Sequence, residues 1–400
     1  MDDTPAVVAP LNILTLNSIS PVGLKRLPSD HYAVGPDTGS PDAILVRSRD
    51  MHKMEIPQSV RTIGRAGAGT NNIPVASMSQ RGVPVFNAPG ANANAVKELV
   101  LAGMLLAARN LLPAIRFAEG LEGNDEQVNK AVEDGKKDFA GIELPNQVLG
   151  VIGLGRIGSL IADAAIKLGM NVLGYDPEIT VDAAWSLPSQ VRKAHSIEDV
   201  LRNSDFVTLH VPLLDATRNL IDARRVGLMR RDAVLLNFSR DGIVSNEAVL
   251  DALAAKKLKA YVCDFPSAAL KGRPGVVATP HLGASTREAE DNCAVMVVDQ
   301  VRDYLENGNV RNAVNFPEVV MSRESPFRLG IANANVPNMV GQISTAMAQA
   351  GLNIHNMLNK SKKDMAYTLV DVDSPVSPQV IARIAAIEGV LAVRYLPARG

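Results

Sequence analysis

The run Val148-Leu149-Gly150-Val151-Ile152-Gly153-Leu154-Gly155-Arg156-Ile157-Gly158 restricts this chain to very few folds. VLGVI is a short apolar run, as a buried strand would be, and it leads directly into GxGxxG. The glycines open IGSLIADAAIKLG, whose apolar residues recur with helical spacing. A second apolar run, NVLGY, ends at Asp176, 18 residues beyond Gly158. A lone GxGxxG is often only a glycine-rich turn of some other α/β protein. Strand, turn, helix, strand and terminal acid together read as a βαβ dinucleotide fingerprint.

Each part has a physical job. Gly153 permits the tight turn out of the strand, Gly155 leaves room for a pyrophosphate, and Gly158 lets helix and strand pack closely. Arg156 and Ile157 begin a helix whose N-terminal N–H groups face the phosphates. Asp176 can accept both ribose hydroxyls and repels a 2′-phosphate, so NAD is expected rather than NADP.

With 400 residues the chain exceeds one ordinary domain, and two or three are expected. The formal net charge of −1 points away from nucleic acid and acidic membrane surfaces. Cys263 and Cys293 are too few for a disulfide framework or a metal site, so no metal is expected and the compartment reads as reducing. The stretch MDDTPAVVAP lacks the basic and apolar regions of a signal peptide. The longest apolar stretch, 99–108, is too short to span a bilayer. Together these predict a cytoplasmic protein with a small-molecule substrate and no membrane partner.

Early strand-like runs are NILTLN, AILVRS, RTIGRAG and VPVFNA, followed by a long helical pattern over 94–110. Residues 111–147 are mixed and charged, like a surface arm suited to subunit contact. Strand candidates DFVTLHV, DAVLLNF, LKAYVCD and GVVAT alternate with helical stretches, which predicts a doubly wound parallel sheet. A further helix is expected over 285–306. After VNFPEVVMSRESP, a unit of about 75 residues has the strand–helix–strand–strand–helix–strand order of a ferredoxin-like fold.

Hydride chemistry on a hydroxy acid needs a cation for the carboxylate and a group for the hydroxyl proton, both at strand carboxyl ends. Arg240 follows the run VLLNF and can pair bidentately with a carboxylate, although position alone also suits a surface arginine. His281 follows GVVAT within TPHLGAST and suits proton transfer, or else caps the next helix.

The set GLGRIG, LHVPL, NFSRDGIV and TPHLGAST resembles the D-2-hydroxyacid dehydrogenase family. VRSR at 46–49, NAPGANANAVKELV at 87–100 and the C-terminal unit resemble its branch that oxidises 3-phospho-D-glycerate and carries an ACT domain. The resemblance implies the first step of the phosphorylated route to L-serine. It makes Arg240 the substrate-orienting arginine and His281 the acid/base. It gives Arg47, Arg49 and Lys97 to the substrate phosphate. Val211, Pro212, Phe238, Ser239, Asp264 and Gly283 fall where the family meets NAD.

The resemblance also implies a split, flavodoxin-like substrate domain (1–93 with 290–317), an inserted NAD domain (94–289), a linker (318–324) and an ACT-like domain (325–400), with catalysis in the cleft. A homodimer or homotetramer is expected. Asn333, Asn335 and Asn353 match positions that bind a serine effector, with asparagine at 333 where the family has histidine and at 338 where it has glycine.

One departure bears on catalysis. The family pairs its histidine with a glutamate where this chain has Ala269, and no acid lies between Asp264 and His281. The expectation is a lower intrinsic rate, or else orientation of the imidazole by a residue from elsewhere, such as Asp264 or Glu288. Two other functions compete: a related 2-hydroxyacid dehydrogenase, including one that reduces 2-oxoglutarate, and a non-enzymatic NAD(H)-sensing interaction protein. Arg47 and Arg49 argue against the first, and retention of Arg240 and His281 against the second.

Overall fold

Short Leu-, Ile- and Val-rich runs near the start of the chain pair as parallel strands: β1 (Leu11–Leu16), β2 (Tyr32–Gly35), β3 (Ala43–Val46), β4 (Thr62–Arg65) and β5 (Val85–Phe86). Their order is β2-β1-β3-β4-β5. All four residues of β3 are buried, the pattern of a strand covered on both faces. The computed structural model describes residues 9–398, so most of MDDTPAVVAP lies outside the described residues. The chain divides into two units, Met1–Asn92 with Arg287–Gly400, and Ala93–Thr286.

The second unit holds β6 (Val148–Ile152), β7 (Asn171–Tyr175), β8 (Arg192–Lys193), β9 (Phe206–Leu209), β10 (Ala233–Asn237), β11 (Leu258–Cys263) and β12 (Val276–Ala278). They form one parallel sheet in the order β12-β11-β10-β9-β6-β7-β8. Ala233 and Leu235 of β10 face one apolar cluster, Val234 and Leu236 the other. Both faces are therefore covered, as a doubly wound sheet requires. Within the expected surface arm the chain forms helices Leu111–Glu119 and Asp125–Gly135. Neither buries a residue. The second starts on a reciprocal capping pair between Asn124 and Gln127. No single helix among the described residues is long and apolar enough to cross a bilayer.

In the first unit, helix Arg287–Asn307 lies over the parallel sheet and contributes Val297, Val298 and Val301 to its core. Beyond it, β13 (Phe327–Ala334), β14 (Ile354–Lys362), β15 (Met365–Val372) and β16 (Val390–Pro397) make an antiparallel sheet in the order β14-β15-β13-β16. With helices Met339–Gln349 and Pro378–Ala385 this is the βαββαβ arrangement. Side chains alternate across it. Leu329, Ile331, Val370 and Val372 pack with the two helices. Ala332, Tyr367 and Leu369 join the core that also holds Phe86, Tyr304 and Phe316. Residues 318–324, read above as a linker, are tied in as well. Met321 is buried, and Arg323 donates to the carbonyls of Leu396 (3.0 Å) and Glu306 (3.0 Å).

Candidate active site

Six strands of the second unit end at residues singled out by sequence. Gly153 follows β6, Asp176 follows β7, and Val211 and Pro212 lie just beyond β9. Phe238, Ser239 and Arg240 follow β10, Asp264 follows β11, and His281 lies just beyond β12. β6 lies between β7 and β9, so the strand order reverses beside it, the position where such sheets open a crevice.

The three glycines differ in what demands them. At Gly153 φ is +93°, and a Cβ would stand 2.4 Å from the His210 carbonyl oxygen. At Gly158 it would stand 2.0 Å from the Gly153 oxygen. At Gly155 a Cβ would meet nothing within 4 Å. Protein fills the space at the first and third positions and leaves the middle one open, which fits a dinucleotide pyrophosphate. Gly155 also caps helix Arg156–Lys167 with no side chain over its N-terminus. The Asp176 carboxylate is set against this loop, accepting the N–H groups of Leu154 (2.8 Å) and Glu178 (2.9 Å).

Buried Asn237 shapes the next turn. Its Nδ2 donates to the Arg240 carbonyl (3.0 Å), and its Oδ1 accepts the Ser239 N–H (3.2 Å). Ser239 Oγ donates to the Leu209 carbonyl (2.9 Å), joining the ends of β9 and β10. The exposed Arg240 guanidinium donates from Nη1 to the Ser239 carbonyl (2.6 Å). Two expected cofactor residues are spent on structure. The Phe238 ring sits in the core, leaving only its main chain. Asp264 is 1 % exposed and accepts Thr279 Oγ1 (2.7 Å) and the N–H groups of Leu282 (2.7 Å) and Gly283 (2.8 Å). Its oxygens therefore hold the loop around His281, not the imidazole, which corrects the expectation that Asp264 replaces the missing glutamate. Ala269 is exposed. Lys97 Nζ donates to Asn94 Oδ1 (2.5 Å) on its own helix, Ala93–Ala108.

His210 was not singled out by sequence. Its Nε2 meets Thr208 Oγ1 at 2.8 Å, and burial pushes the imidazole down to about 3. It is therefore neutral near pH 7, while its backbone carbonyl is the atom that closes off the Gly153 turn.

In the first unit, Arg47 and Arg49 follow β3. Asn17 Oδ1 accepts the Arg49 N–H (2.6 Å), and Asn72 Nδ2 donates to the Arg49 carbonyl (2.9 Å), fixing their loop. Arg47 Nη2 pairs with Glu290 at 2.5 Å. Arg65 ends β4, in register with Val46 beside it. Burial pushes the Cys293 thiol up, Arg65 and Arg47 pull it down, and Glu290 pushes it up, so these groups share one neighbourhood. Arg65 escaped the sequence reading, though an arginine closing the run TIG at a strand's carboxyl end was a usable signal.

The expected effector residues are not gathered in one chain. Asn335 donates from Nδ2 to the Lys363 carbonyl (2.9 Å) before β15, and the Asn353 N–H donates to Asp373 Oδ1 (3.2 Å) after it. The length of β15 puts them roughly 25 Å apart. Asn333 is 1 % exposed and donates to the Ala334 carbonyl (2.7 Å). Asn338 takes φ +64°, the conformation for which glycine is usual.

A doubly wound sheet with an open glycine loop, an acid at the end of β7, and an arginine and a histidine on the same carboxyl edge is the arrangement of an NAD-binding oxidoreductase. Comparison with known proteins narrows the class. Residues 111–283 match the D-isomer specific 2-hydroxyacid dehydrogenase NAD binding domain. A D-3-phosphoglycerate dehydrogenase of Haemophilus influenzae is 31 % identical over 355 residues, covering 86 % of this chain and 83 % of the relative. One of Methanocaldococcus jannaschii is 37 % identical over 289 residues, covering 70 % of this chain, which spans about half (52 %) of that relative's length. The solved structure of an NAD+-bound 3-phosphoglycerate dehydrogenase of Entamoeba histolytica shares the fold. Its TM-score is 0.59 at 23 % identity, over 76 % of this chain and 99 % of the other. The chain belongs to the D-isomer specific 2-hydroxyacid dehydrogenase family.

Proposed function

We propose that this protein oxidises 3-phospho-D-glycerate to 3-phosphohydroxypyruvate, the step that commits this metabolite to L-serine. The observation that carries the reading is the carboxyl edge of one sheet, which presents Arg240, His281 and the open Gly155 loop together. Relatives at 31 % and 37 % identity bear the name of this reaction.

Gly153, Gly155, Gly158 and Asp176 hold NAD, which when bound supplies the hydride acceptor for the substrate C2. The main chain of Val211, Pro212, Phe238, Ser239 and Gly283 borders the same crevice. Arg240 holds the substrate carboxylate and polarises the forming carbonyl. His281 takes the C2 hydroxyl proton as the C2 hydride leaves. Arg47 and Arg49, with Arg65, receive the phosphate, and Lys97 adds positive charge. A serine effector held by Asn335 and Asn353 together needs two chains, since β15 separates the two residues, so the regulatory reading goes with a homo-oligomer.

NADH formation across a panel of 2-hydroxy acids, with and without serine, tests this. Phosphoglycerate should be turned over faster than D-glycerate or D-lactate. His281→Ala should cut kcat by roughly a hundredfold or more, the usual share of a positioned acid/base. Absence of turnover on the whole panel returns the field to the NAD(H)-sensing alternative, whereas an unaffected His281→Ala removes the acid/base role of His281 alone.

A further inference from the structure

We infer that Phe265 is a positioning residue that aims the imidazole of His281. The inference rests on the acid/base role proposed for that histidine. A proton-transfer ring must be held within hydrogen-bond reach of its target, and a third group usually orients it. Within the second unit, the ring contact of His281 is with Phe265. The centroids are 5.2 Å apart and the planes are inclined at 66°, an edge-to-face pair. The acid next along the chain from Phe265 is Asp264, and its carboxylate oxygens are engaged by Thr279, Leu282 and Gly283.

The two neighbours divide the work. The main chain of His281 is fixed by its N–H, which donates to the carbonyls of Asp264 (3.1 Å) and Thr279 (3.0 Å), and by its left-handed φ of +59°. A non-glycine residue in that region needs surroundings that hold it there. The Asp264 carboxylate holds both sides of the residue through Thr279 and Leu282. This settles where the side chain begins and leaves χ1 and χ2 free. Phe265 limits that remaining freedom. It is half-buried directly beyond β11, where its carbonyl accepts a long contact from the Cys263 thiol at 3.8 Å. A hydrocarbon ring orients without adding a counter-charge. Aim is therefore independent of the ionisation of any partner.

The test uses the full chain with Phe265→Ala, Phe265→Leu, Phe265→Tyr and His281→Ala. Initial rates in both directions, NAD affinity, solvent isotope effects and thermal unfolding are recorded for each. Phe265→Ala should lower kcat at least tenfold, with NAD affinity and phosphoglycerate KM within about twofold. The solvent isotope effect on kcat should rise as proton transfer becomes limiting. Phe265→Tyr, which keeps the ring, should recover to within about threefold. Phe265→Leu keeps bulk without a ring, should resemble Phe265→Ala, and serves if the alanine variant unfolds. A kcat within twofold of the parent in both ring-less variants overturns the inference, as does equal loss in Phe265→Tyr. An active His281→Ala would instead remove the acid/base reading itself, a different result from an inert Phe265 beside a dead His281→Ala.

Discussion

Among single residues, the fingerprint glycines separate stability from binding. Gly158→Ala drives a Cβ to 2.0 Å from a backbone oxygen that cannot yield, so the helix must shift and stability should fall by roughly 2–4 kcal/mol. Gly155→Ala puts a Cβ into open space. It should keep the parent's thermal midpoint yet weaken NAD binding at least tenfold, read by titration calorimetry beside thermal unfolding. The tight turn at Gly153 and the close packing at Gly158 were legible in the sequence because each is local to one turn. Partners that meet through space were not. Glu290 lies 243 residues from Arg47, and Phe265 is adjacent to Asp264 in sequence with nothing to show that its ring would meet His281. The loss of an acid at 269 was visible, while its consequence was not. A carboxylate beside an imidazole favours the protonated ring. Ala269→Glu should therefore raise kcat and move the pH–rate profile to higher pH. An unchanged rate and profile would show that Phe265 and the Asp264 clamp already supply what orientation the reaction needs.

At the scale of elements, amphipathic runs with a buried stripe were legible and exposed ones were not. The pattern over 94–110 became helix Ala93–Ala108, whose Val96, Val100 and Met104 enter the core. The helices Leu111–Glu119 and Asp125–Gly135 bury no residue, so hydrophobic spacing had little to report there, although the Asn124–Gln127 capping pair stood in plain view. Helix Ile197–Asn203 is cross-linked to helix Ala223–Leu228 by charge. Glu198 accepts from Arg224 (2.9 Å) and Arg225 (3.1 Å), and these guanidinium groups, with Arg224 first, hold its carboxyl down to about 2. The ordinary value is 4.5, so the folded state binds this proton less readily than the unfolded chain does. The stabilisation is fully present above about pH 4.5 and is lost as pH falls through 2. The difference in thermal midpoint between the parent and Glu198→Gln should therefore be largest near neutrality and shrink steadily between pH 4.5 and 2. A difference that does not vary with pH would mean that the pair is solvated and contributes nothing.

Over the whole molecule, the C-terminal sheet has the expected antiparallel βαββαβ form, and its packing adds what element order does not contain. Its succession of strands and helices was readable, and a separate unit behind a linker was the expectation. In the structure it shares a core with the first parallel sheet, because alternate residues of β13 and β15 are apolar on both sides. A fully buried ion pair secures the junction. Arg328 donates from Nε to Asp371 Oδ1 (2.6 Å) and from Nη2 to Oδ2 (2.8 Å), and its remaining donors reach the carbonyls of Asn307, Met321 and Ser322. Tyr367 Oη donates to the Gly308 carbonyl (2.9 Å), and Arg394 donates to those of Tyr304 (3.0 Å) and Leu305 (3.1 Å), so the end of helix Arg287–Asn307 is held by the sheet.

Removing one partner of such a pair strands a buried charge and costs roughly 3–5 kcal/mol, whereas replacing both with apolar groups costs much less. Arg328→Ala should lower the thermal midpoint sharply, and the Arg328→Met/Asp371→Leu double variant should recover part of it. A chain ending at residue 324 should fare worse than either, because it exposes Phe86, Tyr304 and Phe316 to water at once. It should aggregate or unfold below the parent's midpoint. A truncated chain that keeps the parent's midpoint and turnover would show instead that the sheet is an appended module and that the shared core contributes little to the first unit.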